Sequence, residues 1–320
     1  MSLVDNCGRP LLNLRVSVTQ RCSYRCTYCH REGEVERAGA YSEMTVEEIV
    51  RLTRNAVELG IARVKLTGGE PLMRCDICQI VAGIKAIPGL RDLSLTTNGL
   101  MLPEMAKELH AAGLGRINIS LASLNTETYS RITGGDLDRV LEGVKAAAEA
   151  GFNPVKLNMV ILNDVNVDEV LDMVAYAEKM GVILQLIELD PVNVSNAYFS
   201  QYHRSLEDQE EILRQKAVQI EKRRFMHNRL IYRLPNVTVE VVHPIENTDF
   251  CNHCTRLRVT SDGKLKPCLM RNDNLTDILT PMRQGATDEQ LKELFIEANK
   301  LREPFNKAKV SFEKSKTGGD

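Results

Sequence analysis

Residues 12–190 repeat one unit, a short apolar strand leading through a polar loop to an amphipathic helix. The apolar spacing predicts strands at 12–18, 62–66, 92–97, 115–121, 154–160 and 182–188. It predicts helices near 45–59, 75–87, 102–112, 135–150 and 166–180. Thr45 ahead of Glu47 and Glu48 suits a helix N-terminus, and Gly60, Gly113, Gly151 and Gly181 sit where helices end. Six such units imply an α/β fold, with a parallel sheet and helices outside it.

The strands narrow this further. A parallel strand enclosed on both sides is apolar on both faces. Here one face stays polar in strand after strand: Arg15 and Ser17, then Arg63, Lys65 and Thr67, then Ser94 and Thr96, Asn118 and Ser120, Lys156 and Asn158. The other face carries Val, Leu, Ile or Met. Such strands predict a barrel-like lumen lined with polar groups. Each unmet hydrogen bond there would cost about 1–3 kcal/mol, so the lumen suits water or a polar ligand.

After residue 190 the character changes, dividing the chain into 1–190 and 191–320. Residues 191–228 are polar and read as helix, with the charged run 206–224 as a solvated one. Residues 229–270 read as short β segments, 283–303 as a last helix and 304–320 as a loose tail. Lys and Arg number 41 against 43 Asp and Glu, a net charge of −2, which argues against nonspecific nucleic-acid binding. No apolar run approaches the roughly 18 residues of a membrane helix. The opening MSLVDNCGRP lacks a signal-peptide core, so a cytoplasmic location is expected. Nine cysteines in a reducing compartment suit metal or redox chemistry, or buried packing, better than disulfides.

Cys22, Cys26 and Cys29 form C-x3-C-x2-C directly after the first strand. Three thiolates can hold three irons of a 4Fe-4S cube and leave the fourth open, whereas ferredoxins use four cysteines. A zinc site completed by His30, or buried thiols, is the alternative. Gly68-Gly69-Glu70-Pro71 follows the second strand, Thr96-Thr97-Asn98-Gly99 the third, and Ser120 ends the fourth. These are strand C-terminal ends, where βα folds place active sites. Cys251, Cys254 and Cys268 form C-x2-C-x13-C, which suits a second open cluster or a zinc ribbon with His253. Arg256 and Arg258 share one strand face, and guanidinium forks there suit phosphates or a nucleobase; a solvated strand is the plain alternative.

The first cysteine spacing, with Tyr28 before its last cysteine and Gly68–Pro71 about 40 residues later, resembles the radical S-adenosylmethionine superfamily. GRPLLNLRVSVTQRCSYRCTYC, TGGEPLMR, TTNGLML and FCNHCTRLRVTSDGKLKPCL narrow the resemblance to the GTP 3′,8-cyclase family of molybdenum or tungsten cofactor biosynthesis, in an archaeal-like form. It covers residues 8 to about 270. The resemblance implies a partial (β/α)6 barrel followed by a C-terminal region carrying an auxiliary iron–sulfur cluster. It implies a cytoplasmic radical lyase with two 4Fe-4S clusters and S-adenosylmethionine. Cys22, Cys26 and Cys29 would hold the cluster that binds S-adenosylmethionine, which Tyr28, Gly69 and Ser120 would contact; the glycines would let backbone approach its methionine moiety. Cys251, Cys254 and Cys268 would hold the second cluster, whose open iron takes the guanine base. Arg15, Lys65, Thr96, Lys156, Arg256 and Arg258 would bind GTP. A 5′-deoxyadenosyl radical would take the ribose 3′-hydrogen, and attack on guanine C8 would give 3′,8-cyclo-7,8-dihydro-GTP. An electron donor such as ferredoxin or flavodoxin and the next enzyme, cyclic pyranopterin monophosphate synthase, would be partners, and a homodimer is allowed.

The sequence departs from that family at Lys65 and Gln185, where Arg is expected in many relatives, around Asp190, and at Asp320 after Gly318-Gly319. Cys7, Cys75, Cys78 and His30 are assigned no function, and Glu188 orients a group in the lumen or only bonds structurally. The competing readings are a radical enzyme acting on a peptide and a non-catalytic zinc or iron–sulfur protein.

Overall fold

Every predicted strand of the repeat enters one sheet. The computed structural model describes residues 3–35, 43–223, 226–245 and 247–305. Its strands are β1 (Asn13–Ser17), β2 (Arg63–Thr67), β3 (Asp92–Thr97), β4 (Arg116–Ser120), β5 (Val155–Ile161), β6 (Ile183–Glu188), β7 (Gln219–Arg223), β8 (Arg229–Arg233), β9 (Thr238–Val242), β10 (Arg256–Val259), β11 (Lys264–Lys266) and β12 (Thr276–Asp277). Its helices are α1 (Val46–Glu58), α2 (Ile77–Lys85), α3 (Leu102–Ala111), α4 (Thr126–Thr133), α5 (Leu137–Glu149), α6 (Val170–Met180), α7 (Asn196–Tyr202), α8 (Glu207–Lys216), α9 (Thr248–Asn252), α10 (Leu279–Arg283) and α11 (Asp288–Lys300).

The sheet order is β12-β11-β10-β1-β2-β3-β4-β5-β6-β9-β8-β7. From β10 to β9 all neighbours are parallel, and the two ends are antiparallel. The six predicted strands lie in chain order in the middle, and strands from beyond residue 190 extend them on both sides. The fold is an α/β partial barrel.

Alternation sets the faces. Leu14, Val16, Val64, Leu66, Leu95, Ile117, Ile119, Leu157 and Leu184 are buried on the helix side. Each fully buried side chain of this size contributes roughly 1.5–3 kcal/mol. A one-residue slip in any strand would turn these into the lumen, so register is strongly specified. α1 begins with a capping box: Glu48 N donates to Thr45 Oγ1 (3.2 Å) and Thr45 N to Glu48 Oε2 (2.8 Å). α11 returns to pack on α1, with Arg51 Nε 2.7 Å from Asp288 Oδ1.

Several boundaries differ from expectation. Gly134, at φ 70°, ends α4, and Asp136 caps α5, so the predicted helix at 135–150 is preceded by a separate short one. The helical reading of 191–228 holds only for α7 and α8; Gln219–Arg223 is a strand, paired antiparallel with β8. Thr287 caps α11, so the last helix starts at Asp288 rather than 283. The tail beyond Phe305 lies outside the described residues. Among the described residues no helix is long and apolar enough to cross a membrane.

Candidate functional site

The loop behind β1 carries Cys22, Cys26 and Cys29 and is pinned from two sides. Gly69 N donates to Thr19 O and Glu70 N to Arg21 O, both at 2.7 Å. Arg25 N and Thr27 N donate to the carbonyls of Thr133 and Ile132 in α4. A Cβ on Gly69 would lie 2.2 Å from Arg21 O, and one on Gly68 2.3 Å from Thr19 O. These glycines permit a close approach to the cysteine loop, and their backbone also lines the cavity described below. Glu70 completes the join. Its carboxylate accepts from Leu72 N (3.0 Å), Thr97 Oγ1 (2.7 Å) and Asn98 N (2.6 Å), and burial lifts its pKa to about 7. Burial also pushes up the three thiols, Cys26 to about 12, with neighbouring thiols adding to it at Cys22 and Cys26 and Glu32 at Cys29. A metal binding there releases protons.

The polar strand faces turn inward as cations. Arg258, Arg15 and Lys65 are in register across β10, β1 and β2. Adjacent like charges repel, and Glu32 answers them. This buried carboxylate accepts from Arg15 Nη1 (3.2 Å), Arg258 Nη1 and Thr67 Oγ1 (2.8 Å). Burial alone would raise its pKa; Arg15 and Arg258 overcome that and hold it well below the carboxylate range. Behind the cavity lining Glu240, 2% exposed, pairs with Lys156 and with Arg223 Nη1 (2.8 Å). Burial opposes its charge too, and Lys156 and Arg223 lower its pKa nonetheless. Between the two carboxylates runs a hydrogen-bonded belt. Lys65 Nζ donates to Asn118 (2.7 Å), Asn118 and Gln185 both donate to Asn158 Oδ1 (3.1 and 3.2 Å), and Arg229 donates to Gln185 Oε1 (2.9 Å). Gln185 thus stands where an Arg was expected, and Arg229 from β8 brings a guanidinium to it.

The second cysteine set is held by the two ends of the described chain. Arg9 Nη1 donates to Cys251 O (2.9 Å) and Arg302 Nη2 to Cys254 O (2.5 Å). Both buried guanidiniums share Asp5, at 2.8 and 3.3 Å. Burial pushes the Cys268 thiol up, with Cys254 and Cys251 adding to it. His227 stacks on Phe250, next to Cys251, with ring centroids 3.8 Å apart and planes 7° from parallel.

One cavity of about 330 Å³ is lined by both cysteine sets and by every residue expected to contact S-adenosylmethionine or GTP: Tyr28, Gly69, Ser120, Arg15, Lys65, Thr96, Lys156, Arg256 and Arg258. Arg15 and Arg229 each keep a buried Nε without a hydrogen-bond partner. Arg63, Ser17 and Ser94 of the expected polar face do not line it; Arg63 is exposed, and Ser94 Oγ donates to Val64 O. Cys7, Cys75 and Cys78 also lie outside it. Glu188 is hydrogen-bonded to His203 (2.7 Å) and His243 (2.9 Å), and His30 accepts from Glu32 N at 3.0 Å. Sequence reasoning missed Glu32, Glu240, Arg223, Arg229 and His227. The apolar run Leu230–Tyr232 signalled the strand that begins at Arg229; for Arg223 and Glu32 there was no local signal.

The donor set fits iron–sulfur clusters. Nine free cysteines include two sets of three around one cavity. Among the described residues no three His, Cys, Asp or Glu side chains close on a single ion. A lone zinc, with Zn–S bonds of about 2.3 Å, needs a tighter group than a cube, which spreads its thiolates over separate irons.

The family model described as Radical SAM superfamily matches residues 16–177, and the chain belongs to that superfamily. A second model, Molybdenum Cofactor Synthesis C, matches 182–308. The fold agrees with that of Streptococcus suis SuiB, with a TM-score of 0.62 at 15% identity over 92% of this chain and 67% of that one. The chain is 52% identical over 310 residues to the Thermococcus kodakarensis protein named "Probable GTP 3',8-cyclase", covering 95% of this chain and 99% of that one. It is 41% identical over 306 residues to the Methanocaldococcus jannaschii protein of the same name, again covering 95% and 99%. Within the superfamily it is a member of the GTP 3′,8-cyclase family.

Proposed function

We propose that this protein is a radical lyase that cyclises GTP to 3′,8-cyclo-7,8-dihydro-GTP for molybdenum or tungsten cofactor synthesis. Cys22, Cys26 and Cys29 hold a 4Fe-4S cluster, with Tyr28, Gly69 and Ser120 around its S-adenosylmethionine. Cys251, Cys254 and Cys268 hold the second cluster. When bound, the first cluster with S-adenosylmethionine supplies hydrogen abstraction, and the second supplies an open iron for the guanine base. The observation that carries the reading is that both cysteine sets face one cavity whose walls are cationic.

The side chains divide the remaining work. Arg15, Lys65, Lys156, Arg256 and Arg258 receive the triphosphate, and Thr96 its ribose. Arg256 enters the cavity beside Arg15, Arg258 and Arg229, and burial followed by their repulsion depresses its pKa well below the usual value. An anion relieves that repulsion, and guanidinium forks match phosphate oxygens. The unpartnered Nε atoms of Arg15 and Arg229 give further donors. Arg229 stands in for the Arg that Gln185 replaces. Residues 1–190 carry the radical site and 191–320 the base site, although their strands form one sheet. The same reading carries a cytoplasmic location, a ferredoxin- or flavodoxin-type donor, transfer of product to cyclic pyranopterin monophosphate synthase, and a homodimer.

The test is anaerobic. The reconstituted protein is given S-adenosylmethionine and dithionite with GTP, with ATP or with no nucleotide. A GTP-specific isomer of unchanged mass, convertible to a fluorescent pterin, supports the reading. Equal 5′-deoxyadenosine in all three with GTP untouched rejects it.

A further inference from the structure

The turn after Cys29 joins the two cysteine sets. Arg31, Glu32 and Gly33 have φ of 47°, 52° and 71° in succession. Two consecutive non-glycine residues in the left-handed region are strained and persist only where the surroundings hold them. The surroundings here belong to the other cysteine set. A Cβ on Gly33 would lie 2.5 Å from Leu269 O, the residue after Cys268. Glu34 accepts from Ser261 N (3.1 Å), Ser261 Oγ (2.6 Å) and Gln20 Nε2 (2.8 Å). Between them Glu32 reaches into the lumen and takes Arg15 and Arg258.

That placement gives Glu32 two neighbours with different tasks. It lies three positions after Cys29, and its charge is felt at that thiol. Its guanidinium partners are two of the cations assigned above to the triphosphate. A polyanion arriving at Arg15 and Arg258 competes with Glu32 for the same donors. Glu32 cannot turn to water instead, because it is only 8% exposed. Any loosening of its hold is therefore passed to a strained turn adjoining the first cysteine set and touching the second.

We propose that Glu32 is the positioning residue through which polyanion binding at Arg15 and Arg258 is communicated to the S-adenosylmethionine cluster. The proposal rests on the substrate and cluster reading given above. Linkage makes it reciprocal: if GTP alters binding of S-adenosylmethionine, S-adenosylmethionine alters GTP affinity by the same factor.

The test uses the full chain with both clusters loaded and compares wild type with Glu32→Gln and Glu34→Gln. GTP dissociation constants are measured by equilibrium dialysis with and without S-adenosylmethionine, and the EPR spectrum of the reduced first cluster with and without GTP. In wild type the two constants differ and GTP shifts the spectrum. In Glu32→Gln, GTP still binds, the ratio of constants falls to unity and the spectrum no longer responds. Glu34→Gln disturbs the same turn without touching Arg15 or Arg258 and keeps both responses. A wild-type response that survives in Glu32→Gln overturns the proposal, as does its equal loss in Glu34→Gln or a wild type that binds GTP with no response. If wild type does not retain GTP, the substrate reading fails by itself. Inorganic tripolyphosphate then replaces GTP as the probe, with the same outcomes for Glu32.

Discussion

Glu240→Gln removes the carboxylate shared by Lys156 and Arg223, and its cost follows from their burial. Lys156 and Glu240 side chains are 6% and 3% exposed, and Arg223 is 30% exposed. Breaking a buried pair from one side costs about 3–5 kcal/mol. Arg223 is partly solvated and the amide keeps an oxygen acceptor, so the expected loss lies near the lower end, about 3 kcal/mol. For a 320-residue chain with about 2.1 cal/mol/K of unfolding entropy per residue, that lowers Tm by about 4–5 °C. The assay is thermal and urea unfolding of the cluster-free protein, followed by circular dichroism. Lys156→Met alone should destabilise as well, because it strips Glu240 of its closer partner. The double variant should be more stable than the sum of the two losses, since each residue's penalty is the stranded charge of the other. A Glu240→Gln loss within about 0.5 kcal/mol of zero, or a strictly additive double variant, would refute the reasoning.

Cys268→Ala should halve the iron of a chain loaded with about eight irons and abolish product, while S-adenosylmethionine binding persists; iron analysis with equilibrium dialysis checks this, and loss of that binding counts against the division of labour. Gly69→Ala puts a Cβ 2.2 Å from Arg21 O, a backbone atom that cannot swing aside, so iron at the first site should fall while the second keeps its own, as Mössbauer spectra can show. His243 is partly buried, which alone would lower its pKa, but a hydrogen bond to Glu188 and the Glu210 carboxylate 3.0 Å from its Nε2 hold it up at about 9. A raised folded pKa means stability that is complete below about pH 6.5 and lost as pH rises through about 9. After discounting for solvent, the loss is about 1–2 kcal/mol. Tm measured from pH 6 to 10 should fall more steeply in wild type than in His243→Asn, and parallel curves would reject the assignment.

The parallel βα order and the inward polar face were legible because both are local: period two in each strand, period 3.6 in each helix. The cysteine sets were legible because ligand spacing is local too. The charge balance was not. Lys156 meets Glu240 across 84 positions, and Arg258 meets Glu32 across 226. Nothing within a window of residues 30–34 marks Glu32 as a lumen carboxylate; only the left-handed turn carries it there. Arg223 and Arg229 were overlooked for a different reason. Arg223 lay in the charged run 206–224, read as a solvated helix, with Ile220 the one apolar residue of its strand; Arg229 lay in a segment read correctly as β, but which face it shows depends on its pairing with β9. Gly68-Gly69 was found by motif, but its contact with Thr19 and Arg21 was not, because sequence shows that space is needed and not everything that fills it.

The pairing of β1 with β10 also imposes an order on biosynthesis. Asn13 lies opposite Arg256, so β1 waits through the synthesis of more than two hundred residues for this neighbour. At about 5–20 residues per second, synthesis of the intervening chain takes about 12–50 s. Throughout that interval β1 can be covered by β2 on one side only, leaving a row of unmet backbone donors and acceptors beside the nascent Cys22–Cys29 loop. Arrest or truncation before residue 256 would leave that edge permanently open, with Arg15 lacking both Arg258 and the neighbours that hold Glu32's turn. A cell making this protein thus handles an open half-sheet until the strand that carries Arg256 and Arg258 arrives to close it.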